Sequence, residues 1–161
     1  MNSHIYYNDI IGRIRITAED HAVTAIEFMN GREEVTCTGE GDGESQALLD
    51  KAYRQIDEYL RGQREEFTFP IRIAGTEFQQ EVWSTLLTIP YGETRTYGEV
   101  AEMIGNPNAC RAVGMANNRN RLPIVIPCHR VIGKDGRLIG YNGGIEIKKK
   151  LLEIERRGLT S

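Results

Sequence analysis

The chain has little that would anchor it to a membrane or staple it covalently. Its three cysteines, Cys37, Cys110 and Cys128, are an odd number and form no CxxC pair, which excludes a disulfide framework and a four-thiolate zinc site. No apolar run approaches the roughly 20 residues needed to cross a bilayer. The start, MNSHIYYNDI, lacks the charged-then-apolar layout of a signal peptide. A reducing, cytoplasmic setting is the expectation. No glycine-rich nucleotide loop follows a strand, which speaks against a cofactor-dependent methyltransferase. A surplus of positive charge is missing as well: the formal net charge is −3.

That average hides an asymmetry. Residues 1–75 carry eight basic and fourteen acidic side chains, whereas residues 76–161 carry twelve basic and nine acidic. Between Ala109 and Arg137, six basic residues (Arg111, Arg119, Arg121, Arg130, Lys134, Arg137) face the single Asp135. A polyanion could dock on that stretch, although a solvated charged face reads the same way.

The length suits one ordinary core or two small ones, and two domains are expected, 1–75 and 76–161. Short alternating runs at 5–10, 12–18 and 22–29 predict a β-meander. An acidic, glycine-rich loop, GREEVTCTGEGDGES, follows, and then Leu48, Leu49, Ala52, Tyr53, Ile56, Tyr59 and Leu60 recur at helical spacing until Gly62. Residues 67–73, apolar around Pro70, read as an edge strand or as the way out of this α/β (α+β) domain. In the second half Thr76 with Gln79, and Thr96 with Glu99, have capping-box spacing. The first box opens a helix with an apolar stripe of Phe78, Val82, Trp83, Leu86 and Leu87. The second opens a short helix to Ile104, and Gly105 stops it. Asn106–Pro107 is then expected to cap a further helix, completing a helix-turn-helix outline. That helix is slim: Ala109, Ala112, Gly114 and Ala116 are small, and Arg111 alone is long near its start. It is poorly equipped to read bases in the major groove but could enter the minor groove.

Residues 122–132, LPIVIPCHRVI, predict a buried strand. A free cysteine in an apolar run is commonly inert packing. His129, however, needs a partner if buried, and Glu155 on an amphipathic helix over 145–157 could supply it. Extended geometry would send the His129 and Cys128 side chains to opposite faces, so the expected relay is Cys128, a water, His129 and Glu155, raising the thiolate fraction. A cysteine hydrolase would fit the same three residues but leaves the basic stretch and the slim helix unexplained.

With IPCHRVIG, the upstream RAVGMANNRN and the downstream GYNGG in place, the chain from about Thr76 to Glu155 resembles the O6-alkylguanine-DNA alkyltransferases. The resemblance implies an N-terminal three-stranded sheet with helices, of ribonuclease H-like type, and a C-terminal domain with a winged-helix-like helix-turn-helix. It implies direct reversal of DNA damage: an alkyl group passes from O6 of guanine in double-stranded DNA to Cys128, once per molecule, with no cofactor. Arg111 would replace the flipped nucleotide, with Ala112 and Gly114 lining the minor groove. Tyr97 would rotate the target phosphate and meet guanine N3. Asn120 would form the hinge to the cysteine loop. Backbone groups at Cys128 and Val131 would hold the guanine edge, Tyr141 would line the pocket, and Asn142–Gly143 would face O6, where many members carry serine instead of Asn142. Lys148 matches the family's lysine near the cysteine loop. Some members bind zinc through two cysteines and two histidines; Cys37, His4 and His21 are too few here, so no metal is expected. Cys110 is read as packing. A monomer is expected free of DNA, with cooperative assembly on DNA left open. The competing reading is a non-catalytic DNA-binding protein that recognises lesions or promoters, against which the presence of Cys128 weighs.

Overall fold

In the computed structural model, residues 2–29, 43–138, 141 and 143–160 are described, and the chain divides into two compact units, Met1–Ile73 and Ala74–Ser161. In the first unit, β1 (Asn2–Asn8), β2 (Gly12–Glu19) and β3 (Ala22–Phe28) form an antiparallel meander in sequence order. The β2–β3 loop has only two residues, and both Asp20 (φ 49°) and His21 (φ 66°) are left-handed. That pair is the signature of a hairpin turn whose twist matches the strands it joins. At the β1–β2 turn the Asn8 carboxamide oxygen accepts the N–H groups of Ile10 (2.8 Å) and Ile11 (3.3 Å). Ile14, Ile16, Val23 and Ile26 are buried on the sheet. Helix α1 (Gly43–Leu60) covers it with Leu49, Ala52, Ile56, Tyr59 and Leu60, and Tyr53 stacks on Tyr6 at 4.4 Å.

α1 begins five residues before the apolar periodicity does, so the end of the expected acidic loop is helical. The rest of that loop, with Cys37, lies outside the described residues. Residues 67–73 do run along an edge: Val23 N–H donates to Pro70 O and Arg72 N–H to Val23 O, both at 2.9 Å. Gln55 bonds both the hydroxyl (2.7 Å) and the N–H (2.9 Å) of Thr68, fixing the segment's start.

The second unit is mainly helical: α2 (Glu77–Leu86), α3 (Tyr97–Met103), α4 (Cys110–Asn118) and α5 (Ile145–Thr160), with a short parallel ladder between β4 (Arg95–Thr96) and β5 (Val131–Ile132). Both capping boxes are present, with side chain and backbone bonded reciprocally at Thr76/Gln79 and Thr96/Glu99. Each such cap contributes about 1 kcal/mol to its helix. α3 and α4 make the helix pair, and Trp83 Nε1 donates to Ala116 O (2.9 Å), tying α2 to α4. Gly105, at φ 79°, turns the chain out of α3.

Three expectations fail locally. Asn106–Pro107 caps nothing: Asn106 O accepts the Ala109 N–H in a turn, and α4 starts at Cys110 without a side-chain cap. Leu87, the α2 C-cap, is exposed rather than part of the buried stripe. Residues 122–131 are buried, but within 122–132 only Val131–Ile132 is strand. Ile124 sits at φ 76°, and Cys128–Arg130 form one 3-10 turn before the two-residue β5. Burial produces an apolar run whether the backbone is extended or coiled, so composition misled the reading.

Candidate active site

Cys128 opens the 3-10 turn, 4 % exposed, on a loop braced from α4's end. Asn120, also buried, donates from Nδ2 to Ile126 O and accepts the Leu122 N–H, each at 2.9 Å. These two bonds pin both ends of the segment that delivers the cysteine. Asn117 Nδ2 donates to Cys128 O at 3.4 Å.

His129 and Glu155 are both fully buried and meet at 2.7 Å between Nε2 and Oε2. The carboxylate also accepts Arg130 Nε (2.8 Å), Arg130 Nη2 (2.9 Å) and the Gly92 N–H (3.1 Å). Burial alone would raise the Glu155 pKa, but these donors together outweigh it and hold the group down at about 2. Glu155 is therefore an ionised acceptor at neutral pH, so Nε2 of His129 carries the hydrogen. Burial lowers the His129 pKa despite Glu155, which leaves a neutral ring whose Nδ1 carries the lone pair. A poised base results.

The thiol itself is not activated at rest. Burial drives Cys128 up to about 11, only partly opposed by Asn120, by the Lys148 charge and by the Cys128 and His129 backbone N–H groups. At pH 7 roughly one molecule in ten thousand holds a thiolate. The expected enrichment of thiolate in the resting protein is thus corrected: desolvation outweighs the neighbouring groups that favour the charged sulfur. Lys148, wholly buried on α5, donates from Nζ to Val131 O at 2.7 Å.

Cys128, His129, Glu155, Asn120, Val131 and Lys148 are accordingly brought together, and Tyr97, first residue of α3, lies close enough to feel the Cys128 charge. The Tyr97 ring rests on Gly114, where a Cβ would stand 3.8 Å from it. Arg111 and Ala112 are exposed in the first turn of α4, and Tyr141 and Gly143 are half-buried. Asn142 lies outside the described residues. Cys110 is exposed, which corrects its reading as packing. Arg130 leaves the proposed basic surface: it is buried against Glu155, donates from Nη1 to Ile89 O (2.7 Å) and lies 5.7 Å from the Tyr91 ring centre.

Sequence reasoning missed the roles of Arg130, Asn117 and Gly92. A signal for the first existed on α5, where Lys148, Leu151 and Glu155 fall on one face: two charges on an apolar stripe call for buried partners.

The described residues contain no helix long and apolar enough to cross a membrane. Residues 77–157 match the family described as 6-O-methylguanine DNA methyltransferase, DNA binding domain, and residues 3–73 match its ribonuclease-like domain. A methylated-DNA–protein-cysteine methyltransferase of Methanosarcina acetivorans is 45 % identical over 145 residues, 90 % of this chain and 92 % of that one. The constitutive enzyme of that name from Bacillus subtilis is 42 % identical over 97 % of this chain and 96 % of its own length. The crystal structure of Mycobacterium tuberculosis OGT in complex with DNA superimposes with a TM-score of 0.85 at 40 % identity, covering 98 % of this chain and 94 % of that one. Two matched domains spanning nearly the whole length, with relatives this similar over nine-tenths of it, establish that the chain belongs to the 6-O-methylguanine DNA methyltransferase family.

Proposed function

We propose that this protein repairs DNA by moving an alkyl group from O6 of guanine to the sulfur of Cys128, once per molecule. The observation that carries the reading is a buried thiol set immediately before a neutral histidine whose Nε2–H is held by an ionised carboxylate at 2.7 Å. Sulfur attacks the alkyl carbon in line. The S–C bond forms as the C–O6 bond breaks, and its electron pair leaves on guanine. The thiol proton passes to Nδ1 of His129, directly or through a water, while guanine takes a proton at N3 or O6, with Tyr97 as its donor at N3. The product is a thioether, which has no carbonyl for water to attack, so the sulfur is consumed.

The resting pKa of about 11 acts as a safeguard in this scheme: the thiol reacts only once a base fills the pocket and proton transfer can accompany attack. Double-stranded DNA is the partner, bound through the minor groove with little sequence preference. Arg111 fills the space left by the extruded nucleotide, while Ala112 and Gly114 allow the close approach. Val131 O already accepts Lys148, so a guanine amine held there takes that carbonyl's second lone pair. Tyr141 and Gly143 border the base, and Asn142 replaces a serine hydroxyl near O6. Residues 1–75 form the structural domain and 76–161 the working one, in a protein that is monomeric when free and acts in a reducing cytoplasm without metal or cofactor.

The test is to incubate the protein with a duplex carrying O6-methylguanine and weigh the Cys128 peptide. One added methyl is expected, and Cys128→Ser should bind the duplex without reacting. A lesion that persists beside an unmodified thiol rejects the proposal. Arg111→Ala should slow repair in duplex far more than reaction with free O6-benzylguanine, since only duplex demands extrusion.

A further inference from the structure

Asn117 lies in the last turn of α4 and is 2 % exposed. Two features make it more than filler. Its Nδ2 points at Cys128 O, so the carboxamide belongs to the wall of the site. Its Oδ1 is buried and has no hydrogen-bond partner among the described residues. Reversing the amide would bring two acceptors, Oδ1 and Cys128 O, face to face, so the observed orientation is the one the loop permits. With Oδ1 taking no bond among the described residues, the carboxamide acts on its surroundings through its amide hydrogens.

The other neighbour is Tyr97. Tyr97 lies on Gly114, and Asn117 is three residues farther along α4, on the same face of the helix. The side chain therefore rises beside the phenol. Burial raises the Tyr97 pKa and Asn117 is the neighbour that opposes it; because Asn117 Oδ1 takes no hydrogen bond among the described residues, the group it turns to the phenol oxygen is Nδ2, a donor. Once the oxygen has accepted that N–H, its own hydrogen must point away from Asn117.

We infer that Asn117 is a positioning residue, which holds the Tyr97 hydroxyl as a hydrogen donor toward the incoming guanine while its same amide group steadies the Cys128 carbonyl. One side chain at the end of the DNA-contacting helix thereby links the proton donor to the nucleophile's loop. The inference rests on the reading of Tyr97 as the residue that meets guanine N3, and it explains why a polar residue stands among Val113, Ala116 and Trp83 at the buried face of α4.

The experiment measures single-turnover methyl transfer from duplex O6-methylguanine, separating the maximal rate from DNA affinity, for the full chain and for Asn117→Leu, Tyr97→Phe and the double variant. Asn117→Leu matches the side chain in size and removes the donors. The maximal rate should fall about tenfold, the scale of one hydrogen bond in a transition state, with affinity within twofold. In the Tyr97→Phe background the same change should cost less than twofold, because the hydroxyl it acts through is gone. Asn117→Asp guards against a folding artefact in the leucine variant. Its carboxylate would accept the Tyr97 hydrogen, so its rate should drop above neutral pH and recover on acidification, again only when Tyr97 is present. Full, additive losses in the double variant, or no loss in Asn117→Leu, would overturn the role of Asn117. Unimpaired Tyr97→Phe would reject Tyr97 as donor, and a wild-type chain that gains no methyl would reject the transfer itself.

Discussion

A single thiol shows how burial and chemistry oppose each other at the residue scale. Cys128 has the neighbours of a nucleophile, yet low dielectric surroundings hold its proton up to about 11. Cys110, by contrast, is exposed at the first turn of α4. Of these two thiols, the DNA-free protein should therefore label with iodoacetamide sooner at Cys110 and only slowly at Cys128, whose labelling rate should keep climbing toward pH 11. Peptide mass spectrometry over a pH series reads both. Rapid labelling of Cys128 at pH 7, on a par with Cys110, would mean that the resting thiol is already ionised. The pairing of a cysteine with a histidine was legible in the sequence, because PCHR places them side by side. The thiol's resting protonation was not: that depends on ten consecutive buried residues, 122–131, whose solvent exclusion comes from the whole unit.

Legibility at the scale of elements follows the range of the interactions that make them. The two capping boxes and the two-residue β2–β3 loop are written in three- or four-residue windows, and the meander follows from alternation, so all of these are readable. The segment 122–132 failed because its apolar run reflects burial on every side while its backbone is held by Asn120, a residue whose bonding is visible only in three dimensions. Arg130 failed for the same reason: its partner lies twenty-five positions away on α5. That pairing carries a strong expectation for the element. Arg130→Met would strip two donors from buried Glu155 and one from Ile89 O, leaving His129 and the Gly92 N–H to hold the carboxylate. Breaking one side of a buried pair costs about 3–5 kcal/mol. Urea unfolding of the variant should show a loss of that size, and a loss under about 1 kcal/mol would mean that Arg130 is dispensable to the packing of α5 against the cysteine loop.

Across the whole molecule, the same buried groups link stability to pH and to the protein's own history. His129 resists protonation in the folded state, while its unfolded counterpart titrates near 6.5. Glu155 stays ionised down to about 2 when folded, against 4.5 when free. In both cases the unfolded chain binds the proton more readily, so stability present at neutral pH is lost on acidification, first below about 6.5 and more steeply between about 4.5 and 2. Glu155→Gln should flatten the lower part of that decline, as followed by thermal unfolding across a pH series. Alkylation acts on the same core. A methyl group on sulfur adds volume where Cys128 is 4 % exposed and where its turn is braced by Asn117 and Asn120. Overpacking of this kind costs about 1–3 kcal/mol. For a unit of the size of Ala74–Ser161 that corresponds to a melting point lower by several degrees. Protein that has reacted with O6-methylguanine duplex and been freed of it should melt earlier than unreacted protein, and Cys128→Ser taken through the same incubation should not shift. Identical melting curves before and after methyl transfer would mean that the loop accommodates the thioether without strain, and that the spent protein is not marked by loss of stability.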